Sequence, residues 1–387
     1  MNIKKRTLVL LLVATLAVGM LAGAGATSGL GLLGVGHVTI SQKDYQHYKY
    51  MDKKYSKLES LWKDIKSNYY KDVDDTDLEN GMYKGLFEGL GDAYSEYMTK
   101  EDYENWKAST TGSFEGVGIT FSQDKNDNFI VVSVMEGTPA KKAGIKAGDY
   151  IVKVDGKTYD SMNDLGTAIR GSAGTKVKVT YVRDGKTKTV TMIRKRITEK
   201  SVTSKILSGN IGYIKISSFE DATADDFNTA LRKMESKKVK GLVIDLRDNG
   251  GGLVEAGTDV ADKLMGKGVI TYMEDKEGNK TYYRSNSSKT NLDYVVLVNG
   301  GTASSSEIVS AAIKDSGSGK IIGTKTYGKG IVQQTEESKD GSAYKLTVMQ
   351  YFSPKGHTIH KKGVTPDYIV KGSAAQLKKA KEILKSE

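Results

Sequence analysis

From Gly212 onward, apolar runs of strand length alternate with stretches whose apolar residues recur at helical spacing, and this alternation narrows the fold more than any other feature of the chain. Residues 211–216, 241–246 and 294–298 read as strands, the second of the buried type. Residues 224–237, with Phe227, Leu231 and Met234 on one face, read as a helix, as do 253–265 and 305–315. Helices returning between apolar strands cover both faces of a sheet, so this region predicts an α/β layer. Upstream the pattern differs. From about Gly112, short β-runs at 117–121, 129–134, 150–154, 176–182 and 188–193 are punctuated by glycine. One helix interrupts them, opened by Ser161-Met162-Asn163-Asp164 in a capping-box pattern and closed at Gly171. A small strand-rich module is therefore expected ahead of the α/β core. Earlier still, Tyr48, Met51, Tyr55, Leu58, Trp62, Ile65 and Tyr69 recur at helical spacing, and a second helical piece stops near Gly91. Packing within the segment accounts for this aromatic stripe; a dimer arm, and with it a homodimer, is the alternative.

The chain of 387 residues is long enough for two or three domains. The expected class is multidomain α/β and α+β, with boundaries at 1–42, 43–111, 112–196, 197–372 and 373–387, the last a basic C-terminal helix. Lys4, Lys5 and Arg6 precede a stretch from Thr7 to Gln42 that carries no Lys, Arg, Asp or Glu. Two readings compete: a cleaved signal peptide ending near residues 22–26, or an uncleaved single-pass anchor. The length of the run favours the anchor, with a cytoplasmic basic flank and the rest of the chain extracytoplasmic. There is no cysteine, which excludes disulfides, thiolate metal sites and Cys/His catalysis. The formal charge of +11 is spread along the chain among acidic residues. A solvated surface facing anionic membrane or wall polymer explains it without nucleic acid as a partner.

Familiar catalytic sets fail. The four histidines are His37, His47, His357 and His360, and the last two, three apart in an extended stretch, point to opposite faces. Neither a shared metal nor a Ser-His-Asp base follows from them. Residues 323–329 match the start of a phosphate-binding loop, but Gly330 stands where Ser or Thr must hold magnesium, and a strand follows instead of a helix. There remain Ser304, at the head of a helix beginning Ser304-Ser305-Ser306-Glu307, and Lys329 between two glycines. Ser304 with Glu307 fits a capping box. It also fits a nucleophile whose oxyanion would meet backbone N–H groups and a helix dipole. Lys329 is an ordinary surface lysine, or a base whose pKa burial has lowered.

The chain resembles the C-terminal processing peptidases, PDZ-containing Ser/Lys peptidases, from Tyr69 to Val370. The resemblance rests on Gly116-Val117-Gly118-Ile119, residues 137–149, Gly212-Tyr213-Ile214, Asp245-Leu246-Arg247-Asp248-Asn249-Gly250-Gly251-Gly252, residues 302–307, 327–333 and 363–367, all in the family's order. It implies Ser304 as nucleophile, Lys329 as general base and Gln333 as a third residue orienting the lysine. Ser305 replaces an alanine of the family's serine run, which puts a neighbouring hydroxyl beside the nucleophile, and Ala93 replaces a proline of an N-terminal turn.

The implied protein is an extracytoplasmic serine endopeptidase that passes through an acyl-enzyme and needs neither cofactor nor metal. Its oxyanion hole is expected from the Ser305 N–H and one N–H of the Gly250-Gly251 turn. Residues 112–196 look like a PDZ domain, with Gly116, Val117, Gly118 and Ile119 as the carboxylate-binding loop and a groove along helix 162–170. Protein or peptide substrates with apolar C-terminal tails follow as partners. The core is similar to crotonase architecture, and a catalytically silent PDZ adaptor is the alternative function. Arg170 is either a cation at a helix end or a regulatory bridge from the module to the catalytic core.

Overall fold

The computed structural model describes residues 40–386 other than 126, 199, 287 and 288, and the chain divides into two compact units between Gly81 and Met82. In the first, α1 (Gln42–Asn68) starts where the Ser41 hydroxyl accepts the Asp44 N–H (3.1 Å) and ends where the Tyr69 N–H donates to the Ile65 carbonyl (3.0 Å). No residue of α1 is buried, so Tyr48, Tyr55 and Ile65 of its stripe stay exposed instead of packing within the segment. α2 (Asp75–Glu88) runs across the division, its residues from Met82 on belonging to the second unit.

The expected single-pass anchor is corrected. Residues 1–39, where almost all of it was placed, lie outside the described residues, and among the described residues no helix is long and apolar enough to cross a membrane. At 27 residues α1 has the length, but it carries Lys49, Asp52, Lys53, Lys54, Lys63 and Asp64. Each Lys or Asp at a bilayer centre costs about 2.5–3.5 kcal/mol on insertion scales. Membrane attachment through the N-terminal segment and a transmembrane location are therefore not supported.

The second unit continues with β1 (Glu96–Met98) and α3 (Lys100–Thr111), whose start is closed by reciprocal bonds between Thr99 and Asp102 (3.2 Å each). Next, β2 (Ser113–Gly116) leads into an antiparallel sheet, β3 (Ile119–Gln123), β4 (Phe129–Val134), then α4 (Pro139–Lys142), β5 (Tyr150–Val154), α5 (Met162–Ile169), β6 (Lys176–Arg183) and β7 (Lys186–Ile193). β8 (Lys195–Thr198) returns to pair with β2, so the module's entry and exit form one two-stranded neck. Val131, Ile151, Leu165, Val177 and Val179 fill its core. The Arg194 side chain caps α5 from the neck, donating to the carbonyls of Ile169 (3.0 Å) and Ala168 (2.7 Å), where a cation suits the negative helix end.

β9 (Val202–Leu207), β10 (Ile211–Ile216), α6 (Thr223–Ser236), β11 (Leu242–Asp245), α7 (Val254–Leu264), β12 (Gly268–Asp275), β13 (Lys280–Ser285), β14 (Tyr294–Val298), α8 (Ser305–Ser316), β15 (Lys320–Gly323), β16 (Ile331–Glu337), β17 (Ala343–Phe352), β18 (Tyr368–Ile369) and α9 (Ser373–Ser386) complete the chain. One sheet runs in the order β18-β15-β14-β11-β10-β9, parallel except for β9. Alternate residues explain why it is covered on both sides. Leu242, Ile244, Val296 and Val298 pack with Phe227, Val260 and Ile308 of α6, α7 and α8, whereas Val243, Val295 and Leu297 pack with Ala380 and Leu384 of α9. Fully burying each such side chain is worth about 1.5–3 kcal/mol. A Cβ at Gly241 would lie 2.9 Å from Leu384 Cδ2, so the glycine lets α9 come close. The second sheet of this region joins β1, β17, β12 and β13, with β16 on the other edge of β17.

Candidate active site

The parallel strands β11 and β14 end side by side, and their loops are stitched together there. Thr302 donates its hydroxyl to the Leu246 carbonyl (2.8 Å), Ala303 its N–H to the Asn249 carbonyl (2.9 Å), and Asn299 its amide to Asp248 (2.8 Å). Arg247, paired with the buried Asp245 (2.5 Å), anchors the start of the first loop and reaches Gln376 of α9 (3.1 Å). Burial alone would raise the Asp245 carboxyl, but hydrogen bonds from Arg247 and Tyr213 more than offset it and hold it below the usual range. This arrangement brings the chain into α8 through Ser304 at φ 56°, a left-handed conformation that costs a non-glycine residue energy and persists only where its surroundings impose it.

The hydroxyls of the three adjacent serines are not equivalent. Ser305 and Ser306 are fully buried and donate to the carbonyls of Gly252 (2.8 Å) and Asn249 (3.1 Å). Ser304 is partly exposed. Its N–H donates to a Glu307 carboxylate oxygen (3.0 Å), and its carbonyl accepts the N–H groups of Glu307 (2.7 Å) and Ile308 (3.1 Å). The capping relation expected between Ser304 and Glu307 is thus present through the Glu307 side chain and the Ser304 backbone.

Glu307 reaches much further than a cap. Fully buried, its carboxylate also accepts the N–H groups of Gly328 (2.7 Å) and Lys329 (2.8 Å) and the Thr326 hydroxyl (2.5 Å). Tyr351 joins the same two segments from the other side, its phenol donating to the carbonyls of Ser304 (3.1 Å) and Lys329. Burial, with the Glu307 carboxylate nearby, pushes that phenol well up, so it remains protonated and a donor. The backbones of Ser304 and Lys329 are therefore held by one carboxylate and one phenol. Replacing Glu307 by Gln turns one acceptor oxygen into a donor facing N–H groups. The expected result is a stability loss of ~2–3 kcal/mol in chemical unfolding together with loss of cleavage; parent-like unfolding and activity would contradict the role.

The glycines that flank Lys329 make room for a neighbouring stretch of backbone. A Cβ at Gly330 would lie 2.2 Å from the His360 backbone nitrogen, so it is the 360–363 stretch that demands the space. The Lys329 amine lies 4.6 Å from the centre of the Tyr94 ring. Burial lowers its pKa, the Lys345 ammonium lowers it further, and the Asp92 carboxylate partly restores it. Gln333 on β16 donates its amide to the Thr347 hydroxyl (3.0 Å). Of the two histidines three apart, His357 is exposed and His360 half-buried.

The two glycines expected at the oxyanion hole differ. The Gly251 N–H is committed to the Asn249 side-chain oxygen (2.9 Å), and a Cβ there, at φ 98°, would lie 2.6 Å from Ser304 Cβ. Gly251 is thus a close-approach residue, whereas the Gly250 N–H has no such partner among the described residues.

In the strand-rich module, a cavity of about 660 Å³ lies between Gly116, Val117, Gly118, Ile119 and α5, with Phe121, Met162 and Ile169 on its walls. The Val117 and Gly118 carbonyls are used by the Ala140 (2.9 Å) and Met135 (3.0 Å) N–H groups, which pins the loop, and Gly118 takes φ 82° against Thr138. Asn105 and Ala108 of α3 and Glu220 of the core also line the cavity. Arg170 reads from sequence either as a cation at a helix end or as a bridge to the core. Its guanidinium donates to Asn105 of α3, because α3 lies along α5, where Asn163 also donates to Glu101 (2.6 Å).

Three family models match: peptidase family S41 over residues 210–370, PDZ domain over 116–193, and the N-terminal domain of activating protease CtpB over 20–102. The carboxy-terminal processing protease CtpA of Bacillus subtilis (strain 168) is 40% identical over 320 residues, covering 81% of this chain and 68% of that protein. A probable CtpA-like serine protease of Staphylococcus aureus (strain N315) is 36% identical over 342 residues, 87% of this chain and 68% of its own. Among solved structures, the photosystem II D1 C-terminal processing protease aligns with a TM-score of 0.50 at 27% identity, covering 89% of this chain and 98% of that one. The chain therefore belongs to peptidase family S41, as a CtpA-like carboxy-terminal processing protease that carries a PDZ domain.

Proposed function

We propose that this serine-type peptidase cleaves through Ser304 as nucleophile and Lys329 as general base, with Gln333 orienting the lysine. The observation that carries the reading is the shared Glu307 carboxylate, which binds the backbone N–H of both Ser304 and Lys329. The neutral Lys329 amine takes the Ser304 hydroxyl proton as the oxygen attacks a peptide carbonyl. Negative charge forming on that carbonyl oxygen is met by the Ser305 N–H, at the positive end of α8, and by the Gly250 N–H. The ammonium then protonates the departing amine, leaving a Ser304 ester, and the same lysine activates the water that hydrolyses it. The burial of the Ser305 and Ser306 hydroxyls supports Ser304 as the reacting member of the three.

Substrates on this reading are proteins with an apolar C-terminal tail, laid in the groove of Phe121, Met162 and Ile169 with the terminal carboxylate on the N–H groups of the 116–119 loop. We place the module boundaries at 112–196 for the PDZ domain, 197–372 for a crotonase-like core and 373–387 for the C-terminal helix. Amidating the tail carboxylate removes a charge-assisted contact, and kcat/KM for a tailed protein should fall about tenfold or more while cleavage of a short untailed peptide is unchanged. Equal rates for free and amidated tails would remove the carboxylate from recognition.

A further inference from the structure

The sheet that carries Gln333 and Thr347 is completed by a short stretch that precedes the PDZ module in sequence. β1 pairs with β17 through Glu96 and Lys345, Tyr97 and Tyr344, Met98 and Ala343. Just before it, the Ser95 hydroxyl accepts the Thr347 N–H (2.9 Å). Asp92 stands at the centre of this seam: its carboxylate accepts the Tyr94 N–H (3.1 Å) and the hydroxyls of Ser95 (2.6 Å) and Thr347 (2.6 Å). Burial would raise the Asp92 carboxyl, but these hydrogen bonds outweigh it and keep it ionised.

An ionised carboxylate only accepts, so the single proton of the Thr347 hydroxyl is directed to Asp92. The hydroxyl oxygen is then an acceptor toward Gln333, whose Nε2 donates to it (3.0 Å). That donation fixes which way the Gln333 amide is turned. Its nitrogen is held against Thr347, so any contact with the Lys329 amine falls to its oxygen. A flipped amide would present N–H groups to an ammonium.

We propose that Asp92 is a positioning residue of the peptidase, setting the Gln333 amide through Thr347. The proposal rests on the reading of Lys329 as base and Gln333 as its orienting partner. The residues 92–98 are on this account part of the catalytic machinery, although they lie more than two hundred positions from Ser304 in sequence.

The charged and titratable groups around the Lys329 amine come from several elements. Asp92 and Tyr94 come from the seam, Lys345 from β17, Glu307 from α8 through the Lys329 N–H, and Tyr327 from the loop. His360 lies close enough to Asp92 to act on its charge. Of these charged and titratable groups only Asp92 is replaced in the test, so the other contributions are common to parent and variants. Its negative charge favours the ammonium; removing it lowers the pH at which the neutral base forms.

The test measures single-turnover acylation of a peptide substrate against pH in the full chain carrying Asp92→Asn, Thr347→Val or Thr347→Ser. Asp92→Asn is expected to lower the acylation rate about tenfold without changing substrate affinity, and to move the rising limb of the pH profile to lower pH. Thr347→Val is expected to lower the rate by a similar factor with the limb in place, and Thr347→Ser, which keeps the hydroxyl, recovers most of it. A parent-like rate and limb in Asp92→Asn would overturn the proposal, as would a full rate in Thr347→Val. Failure of the underlying Ser/Lys reading is distinguishable, because it appears as activity in Lys329→Ala, which these variants leave untouched.

Discussion

Ser304→Ala abolishes peptide cleavage while leaving the fold in place. No bound substrate can be acylated without the hydroxyl, and the residual rate is expected to be lower by at least about 10⁴-fold, the scale on which triad nucleophiles act. The stability change should be small, ~1 kcal/mol or less, because the structural bonds at this position are made by the Ser304 backbone and survive the substitution. Alanine retains the positive φ, which is no easier for it than for serine. Chemical unfolding and a cleavage assay on one preparation check both halves; a substantial rate in Ser304→Ala would remove the nucleophile.

The second large effect is at Lys329. Alanine removes the base, and arginine fails equally, because a guanidinium holds its proton at any working pH. The parent rate should rise with pH, since burial and Lys345 lower the Lys329 pKa and only the neutral amine accepts the serine proton. The midpoint lies below that of a free lysine. Tyr94, whose own phenol is pushed up to about 12 by its bond to Tyr327 and by burial, stays neutral under the ammonium and does not share this titration. A flat profile with acylation limiting would point to another base.

Much of this was legible before the structure. The runs 242–244 and 294–298 are apolar on both faces, which only a doubly covered sheet permits, and the capping pattern at Ser161 marked the start of α5. Of the second sheet only the strand after Gly330 was read. Strands such as Lys280–Ser285 are mostly exposed and carry no alternation that distinguishes them from loop. α3 was missed because its turns are polar apart from Tyr103 and Trp106, and its start is set by Thr99 and Asp102. Local sequence identified Glu307 as a cap but not as the acceptor for Gly328 and Lys329, since those bonds arise only when β15 delivers its loop beside α8. Asp92 was invisible for the same reason. The reading of residues 1–42 as an anchor rested on composition, and nothing among the described residues carries it further.

The most direct test is to treat the protein with an acylating serine-reactive probe and map the adduct by peptide mass spectrometry, in the parent and in Lys329→Ala. The account predicts one adduct, on Ser304, formed at a rate that follows the titration of Lys329 and lost in the lysine variant. An adduct on Ser305 or Ser306, or labelling of Ser304 at the parent rate in Lys329→Ala, would contradict it.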